Sequence, residues 1–283
     1  FEEFFSIHPS KKNNYPLLDL IVITFRSNIC IYKEPNPNYF LNRKNNDDVN
    51  ALFWLGLLYD MGKYVPHNIE KAIKYYLLAG EQNHPVAFLL LGMIYIYETN
   101  GMFDINTAIK YFSRASDLNQ VNAQKNLGYI YSEGKFIAPD IDKSIHYFQL
   151  AANQDDIDSL YNLGVIYESN EYKPRDINKS IYYFERAAKL NYAKAQTVLG
   201  IIYYEGEYIK PNIEKAIYYL VQAARQNDSD ALTRLGIIYK DGKYIKPNIN
   251  KAINYFFLAS QLNNSEAQYN LGLLYYEGKH ITR

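Results

Sequence analysis

The 283-residue sequence predicts an all-α fold, a right-handed α-solenoid of helix–loop–helix repeats with a 36-residue period. Three observations predict it. The first is a Leu-Gly pair that recurs as Leu55-Gly56, Leu91-Gly92, Leu127-Gly128, Leu163-Gly164, Leu199-Gly200, Leu235-Gly236 and Leu271-Gly272, each glycine 36 residues from the next. A fixed period of that size is the signature of stacked helical hairpins, an α/α superhelix. The second is an amphipathic helical pattern on either side of a loop that carries Gly and Pro, clearest between Ala195 and Asn227. The third is punctuation, with glycine closing the first helix of most repeats and Asn or Asp opening and closing the second.

Residues 1–46 do not carry the repeat. Pro9, Lys11, Lys12, Asn13 and Asn14 form a breaker cluster, and apolar segments follow at Leu17 to Phe25 and Ile29 to Tyr32. A hairpin and a degenerate helix both fit this pattern. Tyr39-Phe40 lies 36 residues before Tyr75-Tyr76, which points to a worn-down repeat capping the array. The expected organisation is therefore an irregular N-terminal segment at 1–46, then a repeat array at 47–283. That array holds six full repeats and the first helix of a seventh.

In the first helix of each repeat, a small residue stands five before the glycine, leucine one before it and tyrosine three after it. In repeat five these are Ala195, Leu199 and Tyr203. At helical periodicity they share one arc and form the buried stripe. A glycine in mid-helix costs about 1 kcal/mol relative to alanine, so its recurrence implies close approach of the second helix. The first helix then ends at Gly62, Gly134, Gly206, Gly242 and Gly278, as expected of left-handed C-terminal caps. Repeat four has Asn170 at that place, a residue that tolerates the same backbone, and repeat two has Glu98, which implies a reshaped loop.

Asn68, Asp104, Asp140, Asp176, Asn212 and Asn248 are the expected N-caps of the second helices, their side chains accepting from free amides. In repeat five the apolar face of that helix is Ile213, Ala216, Ile217, Leu220, Ala223 and Ala224. The second helices close at Asn83, Asn119, Asp155, Asn191, Asn227 and Asn263, residues that accept a left-handed turn. The chain stops inside the loop of the seventh repeat, so a fragment of a longer protein is expected.

This alternation of A-x-x-x-L-G-x-x-Y-x-x-G with K-A-x-x-aromatic-aromatic-x-x-A-A resembles the Sel-one-like repeat, a relative of the tetratricopeptide repeat. Repeat five carries it at Ala195, Leu199, Gly200, Tyr203, Gly206, Lys215, Ala216, Tyr219, Ala223 and Ala224, and repeat three at Ala123, Leu127, Gly128, Tyr131, Gly134, Lys143, Tyr147, Phe148, Ala151 and Ala152. The departures are tyrosine where the family often has tryptophan in the second helix, and Asn or Asp where glycine usually ends it. The resemblance implies a non-catalytic scaffold or adaptor for proteins. The alternative is a regulatory or targeting domain of a longer protein whose enzymatic part lies outside this chain.

Composition bounds the function further. Hydrophobic residues at 48% and charged residues at 21% mark a globular chain. Thirty basic side chains balance thirty acidic ones, which leaves no electrostatic case for nucleic acid or an anionic membrane. Apolar runs such as Leu20 to Phe25 are too short to span a bilayer. One cysteine, Cys30, fits a reducing compartment, and no signal-peptide pattern starts the chain, so the cytoplasm is expected. Glycosylation triplets at Asn178, Asn227 and Asn263 keep a secretory-pathway alternative open, which would need an upstream signal peptide.

No catalytic, cofactor or metal site is expected. His8, His67, His84, His146 and His280 lack metal-ligand spacing, and Cys30 has no identifiable base. Gly272 to Lys279 has five residues between its glycines where a phosphate-binding loop needs four. What remains is a surface. Positions three before, one after and four after each glycine fall roughly 40–100° from it on the first helix, the face that lines the concave side of related helical arrays. The candidate contact residues for a protein or peptide segment are Phe53, Leu89, Lys125, Tyr129, Tyr161, Glu168, Thr197, Tyr204, Thr233, Lys240, Tyr269 and Tyr276.

Overall fold

A computed structural model describes residue 40 and residues 48–62, 64–97, 101–171 and 174–277. Residues 1–39 and 41–47 lie outside the described residues, as do Cys30, Glu98 and Gly278. Among the described residues the regular structure is helical throughout, with no strand. The helices are α1 (Val49–Met61), α2 (Ile69–Glu81), α3 (Pro85–Ile96), α4 (Ile105–Asp117), α5 (Val121–Glu133), α6 (Ile141–Ala152) and α7 (Ile157–Glu168). There follow α8 (Ile177–Lys189), α9 (Ala193–Glu205), α10 (Ile213–Ala224), α11 (Ser229–Asp241), α12 (Ile249–Gln261) and α13 (Ser265–Glu277). Odd helices are the first of each repeat and even helices the second. The chain divides into two compact units, up to Ala123 and from Gln124 onward.

Within each repeat that has both helices described, the two run antiparallel and close on a large side chain set into a notch, a ring in five of the six. A methyl at Gly56 would come within 2.5 Å of the Tyr76 ring, and methyls at Gly92, Gly128, Gly164 and Gly236 would come equally close to Phe112, Phe148, Phe184 and Phe256. At Gly200 the intruder is Leu220, 2.4 Å away. This close approach is the packing reason for glycine in mid-helix, because any side chain there would overlap the ring. All five of these rings, and Leu220, are fully buried.

Beside each notch the tyrosine three after the glycine stacks on a tyrosine of the second helix. Tyr131 on Tyr147, Tyr167 on Tyr183 and Tyr203 on Tyr219 lie within 6° of parallel, with centroids 5.7–5.9 Å apart. The lysine in the first turn of the second helix reaches over the same ring, Lys179 over Tyr167 at 5.1 Å and Lys215 over Tyr203 at 4.6 Å. The repeated tyrosines are thus framework.

The punctuation reads as expected in most repeats. Asn68, Asp140, Asp176, Asn212 and Asn248 each accept from a backbone amide two to three residues into the second helix, as does Asp104. Asn83, Asn119, Asp155, Asn191, Asn227 and Asn263 all hold positive φ, between 57° and 66°. Gly206 ends α9 at φ 66°, where a side chain would also run into Pro211.

Asn170 departs from this scheme. α7 stops at Glu168, Ser169 is extended at φ −69°, and Asn170 is not left-handed. Its side chain instead accepts from the Arg175 amide at 3.0 Å, while the Arg175 side chain donates to the Glu168 carbonyl. The loop is held by side chains in place of a left-handed turn. Repeat two differs similarly: α3 ends at an extended Tyr97.

In the first unit, Phe40 is helical and buried, stacked on Trp54 at 6.2 Å in a cluster with Ala51, Leu55 and Leu58. In the second unit one apolar cluster runs from Ile145 and Phe148 through Phe184 to Leu199 and Ala216. Two smaller ones follow around Leu220–Leu235 and Phe256–Leu274.

Candidate functional site

The twelve candidate residues sit on first helices, and their environments divide sharply. The position three before each glycine does not face solvent uniformly. Phe53, Leu89, Thr197 and Thr233 are 3%, 7%, 6% and 1% exposed, so the expectation that they contact a partner directly does not fit them. The physical reason is a joint between consecutive repeats. This position meets the N-cap of the next first helix, 31 residues downstream.

The chemistry of the joint varies. Phe53 stacks on His84 at 4.2 Å, Tyr161 meets Tyr192 edge-on at 5.4 Å, and Thr197 donates to Asp228 at 3.0 Å. Lys125 donates to Asp156 at 3.3 Å and to Asp158 at 2.9 Å. Both N-cap aspartates already accept from their own helices, Asp156 from the Ser159 amide at 2.9 Å and Asp228 from the Ala231 amide at 2.8 Å. Thr233 turns inward and donates to the Ser229 carbonyl.

The Lys125 joint is an ion pair with two carboxylates. Burial pulls its ammonium down, but Asp156 and Asp158 outweigh it and hold the group above the ordinary lysine value. Lys125→Met keeps the apolar stem and leaves two carboxylates facing each other without their cation. It should lower the stability of the second unit by about 1–3 kcal/mol. Urea denaturation of both chains checks this, and the loss should shrink as added salt screens the Asp156–Asp158 repulsion.

The other two rows are more accessible. Tyr129 packs edge-on against Phe148 at 5.2 Å while its hydroxyl accepts from Asn162 at 3.0 Å. Burial raises the Tyr129 hydroxyl far above the usual phenol range, helped by Asp158. Its neighbour Tyr192 is pushed up to about 12, again first by burial. Burial also lifts the Glu168 carboxyl against the pull of Arg175. Tyr204 meets Tyr244 edge-on at 5.6 Å, and Lys240 donates to Asn270 at 2.9 Å. Tyr161, Tyr129, Glu168, Tyr204 and Lys240 are therefore half-buried, with part of each side chain open.

Tyr269 and Tyr276 differ from all of these, at 68% and 90% exposed. Both lie on α13, the last described helix, where Leu273 and Tyr275 are also exposed, as are Phe257 and Leu258 of α12 and Leu262 just after it. A methyl at Gly272 would meet no described atom within 4 Å, so this notch holds no ring among the described residues. The N-cap row was missed, although its signal is present in the sequence as polar residues 31 positions after the variable site.

The surface offers aromatic rings, phenol hydroxyls, amides and scattered single charges, which suit recognition of an apolar and hydrogen-bonding segment. Among the described residues no group of three or more His, Cys, Asp or Glu side chains is placed to hold a metal ion. No described helix is long and apolar enough to cross a membrane.

Comparison with known proteins agrees with this geometry. The Sel1 repeat pattern matches residues 49–84, 89–120, 121–156, 157–192, 193–228, 229–264 and 265–283. The chain is similar to the crystal structure of c5321, a protective antigen present in uropathogenic Escherichia coli strains and displaying an SLR fold. The TM-score is 0.76 at 25% identity, over 92% of this chain and 56% of that one. This chain thus spans little more than half the length of the E. coli protein. It is also similar to a Sel1 repeat protein from Oxalobacter formigenes, with TM-score 0.60 and 30% identity over 80% of this chain and 92% of that one. No curated protein sequence matches it.

Proposed function

This chain belongs to the Sel1 repeat family, and from that premise we propose that it is a non-catalytic scaffold that binds a protein or peptide segment along its first helices. Sel1 repeats generally mediate protein interactions and are typically not enzymes. Among the residues of the second unit, the contact surface consists of Tyr129, Tyr161, Glu168, Tyr204, Lys240, Tyr269 and Tyr276. The observation that supports the reading is the row of half-buried Tyr129, Tyr161, Glu168 and Tyr204 on successive first helices of the second unit, each with part of its side chain open. Tyrosine is suited to the role because it presents a large contact area and a hydroxyl while losing little rotamer freedom.

The bound segment carries apolar or aromatic side chains and backbone amides. Acidic and basic side chains balance at 30 each, which favours a protein segment over a nucleic acid. The single cysteine suits a reducing compartment, and the cytoplasm is the location proposed.

Peptides selected from a display library on the full chain test the reading. Tyr161→Ser with Tyr204→Ser should weaken a selected peptide by about ten-fold or more, the scale of interface anchors. Tyr269→Ser with Tyr276→Ser should weaken it less. Undiminished affinity in both folded double variants, or failure to select any peptide, contradicts the proposal.

A further inference from the structure

His84 occupies a position in the joint between repeats where its chemistry differs from every counterpart. It is the N-cap of α3: its Nδ1 accepts from the Ala87 amide at 3.2 Å. Its ring lies on Phe53, with centroids 4.2 Å apart and planes 18° from parallel. The counterparts of His84 in the later repeats are Gln120, Asp156, Tyr192, Asp228 and Asn264. Four of these cap their helices through carbonyl or carboxylate oxygens, at 2.8–2.9 Å, and Tyr192 makes no such bond.

Amide and carboxylate oxygens stay acceptors from pH 5 to 8. An imidazole nitrogen does not, because taking up a proton turns Nδ1 from acceptor into donor. It also sets a positive charge against the positive end of the α3 dipole.

We propose that His84 makes the joint between the first two repeats a pH-responsive element, closed while the imidazole is neutral and loosened when it gains a proton. The elements packed around it carry few charges. α1 brings Asp48 at its N-cap, Tyr59 and Asp60; α2 brings Glu70, Lys71, Lys74, Tyr75, Tyr76 and Glu81; α3 carries only Tyr95. Asp60 is committed to Tyr76, whose hydroxyl donates to it at 3.1 Å. Among the described residues no carboxylate pairs with the imidazole.

Burial holds His84 below its ordinary value of 6.5, with its own backbone acting the other way. Its contribution to stability is therefore fully present above pH 6.5 and is lost as pH falls through the lower folded value. A protonated ring gains some cation–π attraction from Phe53. The lost cap bond, the helix dipole and the burial of charge together oppose that gain. Asp60 runs in the opposite direction, because burial raises its carboxyl despite the Tyr76 bond. Its penalty eases on acidification, and a substitution at His84 separates the two.

Trp54, the single tryptophan, lies 6.0 Å from the Phe53 ring and reports on this joint. Thermal unfolding of the full chain, followed by its emission, should be compared at pH 7.5 and 5.0 for wild type, His84→Asn and His67→Asn. Asn is a strong N-cap that does not titrate. Wild type and His67→Asn should lose about 3 °C or more relative to His84→Asn on acidification. Equal shifts in wild type and His84→Asn overturn the proposal. So does an NMR titration of wild type that puts the His84 imidazole at or above 6.5, which decides the matter even if His84→Asn folds poorly.

Discussion

Phe184→Ala should destabilise the second unit by about 3–5 kcal/mol, the range for truncating a large buried aromatic side chain. The ring has no exposed surface and fills the notch over Gly164, where a methyl would come within 2.5 Å of it. It also meets Tyr161 at 5.5 Å, so its loss loosens one of the half-buried surface tyrosines as well. Neighbouring first and second helices are already close-packed, which leaves little room for collapse into the vacated space. Urea denaturation followed by far-ultraviolet circular dichroism measures the loss. A change below about 1 kcal/mol would mean that the ring is not an anchor of the hairpin.

Gly164→Ala places a methyl 2.5 Å from Phe184 and should cost about 1–3 kcal/mol of overpacking, even against the helix-propensity gain of about 1 kcal/mol. Its thermal midpoint, measured beside wild type, should fall. A midpoint at or above that of wild type would detach the glycine from the ring.

Much of this architecture was legible because it depends on residues close in sequence. The repeated Leu-Gly pair, the Asn and Asp caps and the left-handed turns at Asn191 and Asn227 are set by backbone requirements within one hairpin. The glycine notch could be inferred from recurrence alone. Which ring fills it is also visible, since Tyr76, Phe148 and Phe184 all stand 20 residues after their glycines.

The candidate surface was less legible, and the reason is geometric. A helical wheel gives the direction of a side chain on its own helix, but not what comes to meet it. Thr197 and Lys125 point to the expected side, yet each is taken up by an aspartate at the start of the next repeat. Phe53 is closed over by His84 in the same way. Tyr276 carries the same positional code, and among the described residues it is 90% exposed. Asn170 misled for another reason: its side chain found the Arg175 amide, and that bond replaced the left-handed turn.

A large side chain seated in a glycine notch is the unit from which the hairpins are built, and a double-mutant cycle between Gly164→Ala and Phe184→Ala tests it most directly. With the ring removed, the methyl at position 164 has space and should no longer destabilise. The predicted result is a coupling of at least about 1 kcal/mol, with the double variant less destabilised than the sum of the two single variants. Effects that add to within about 0.3–0.5 kcal/mol would show that glycine and ring act independently, and would contradict the account.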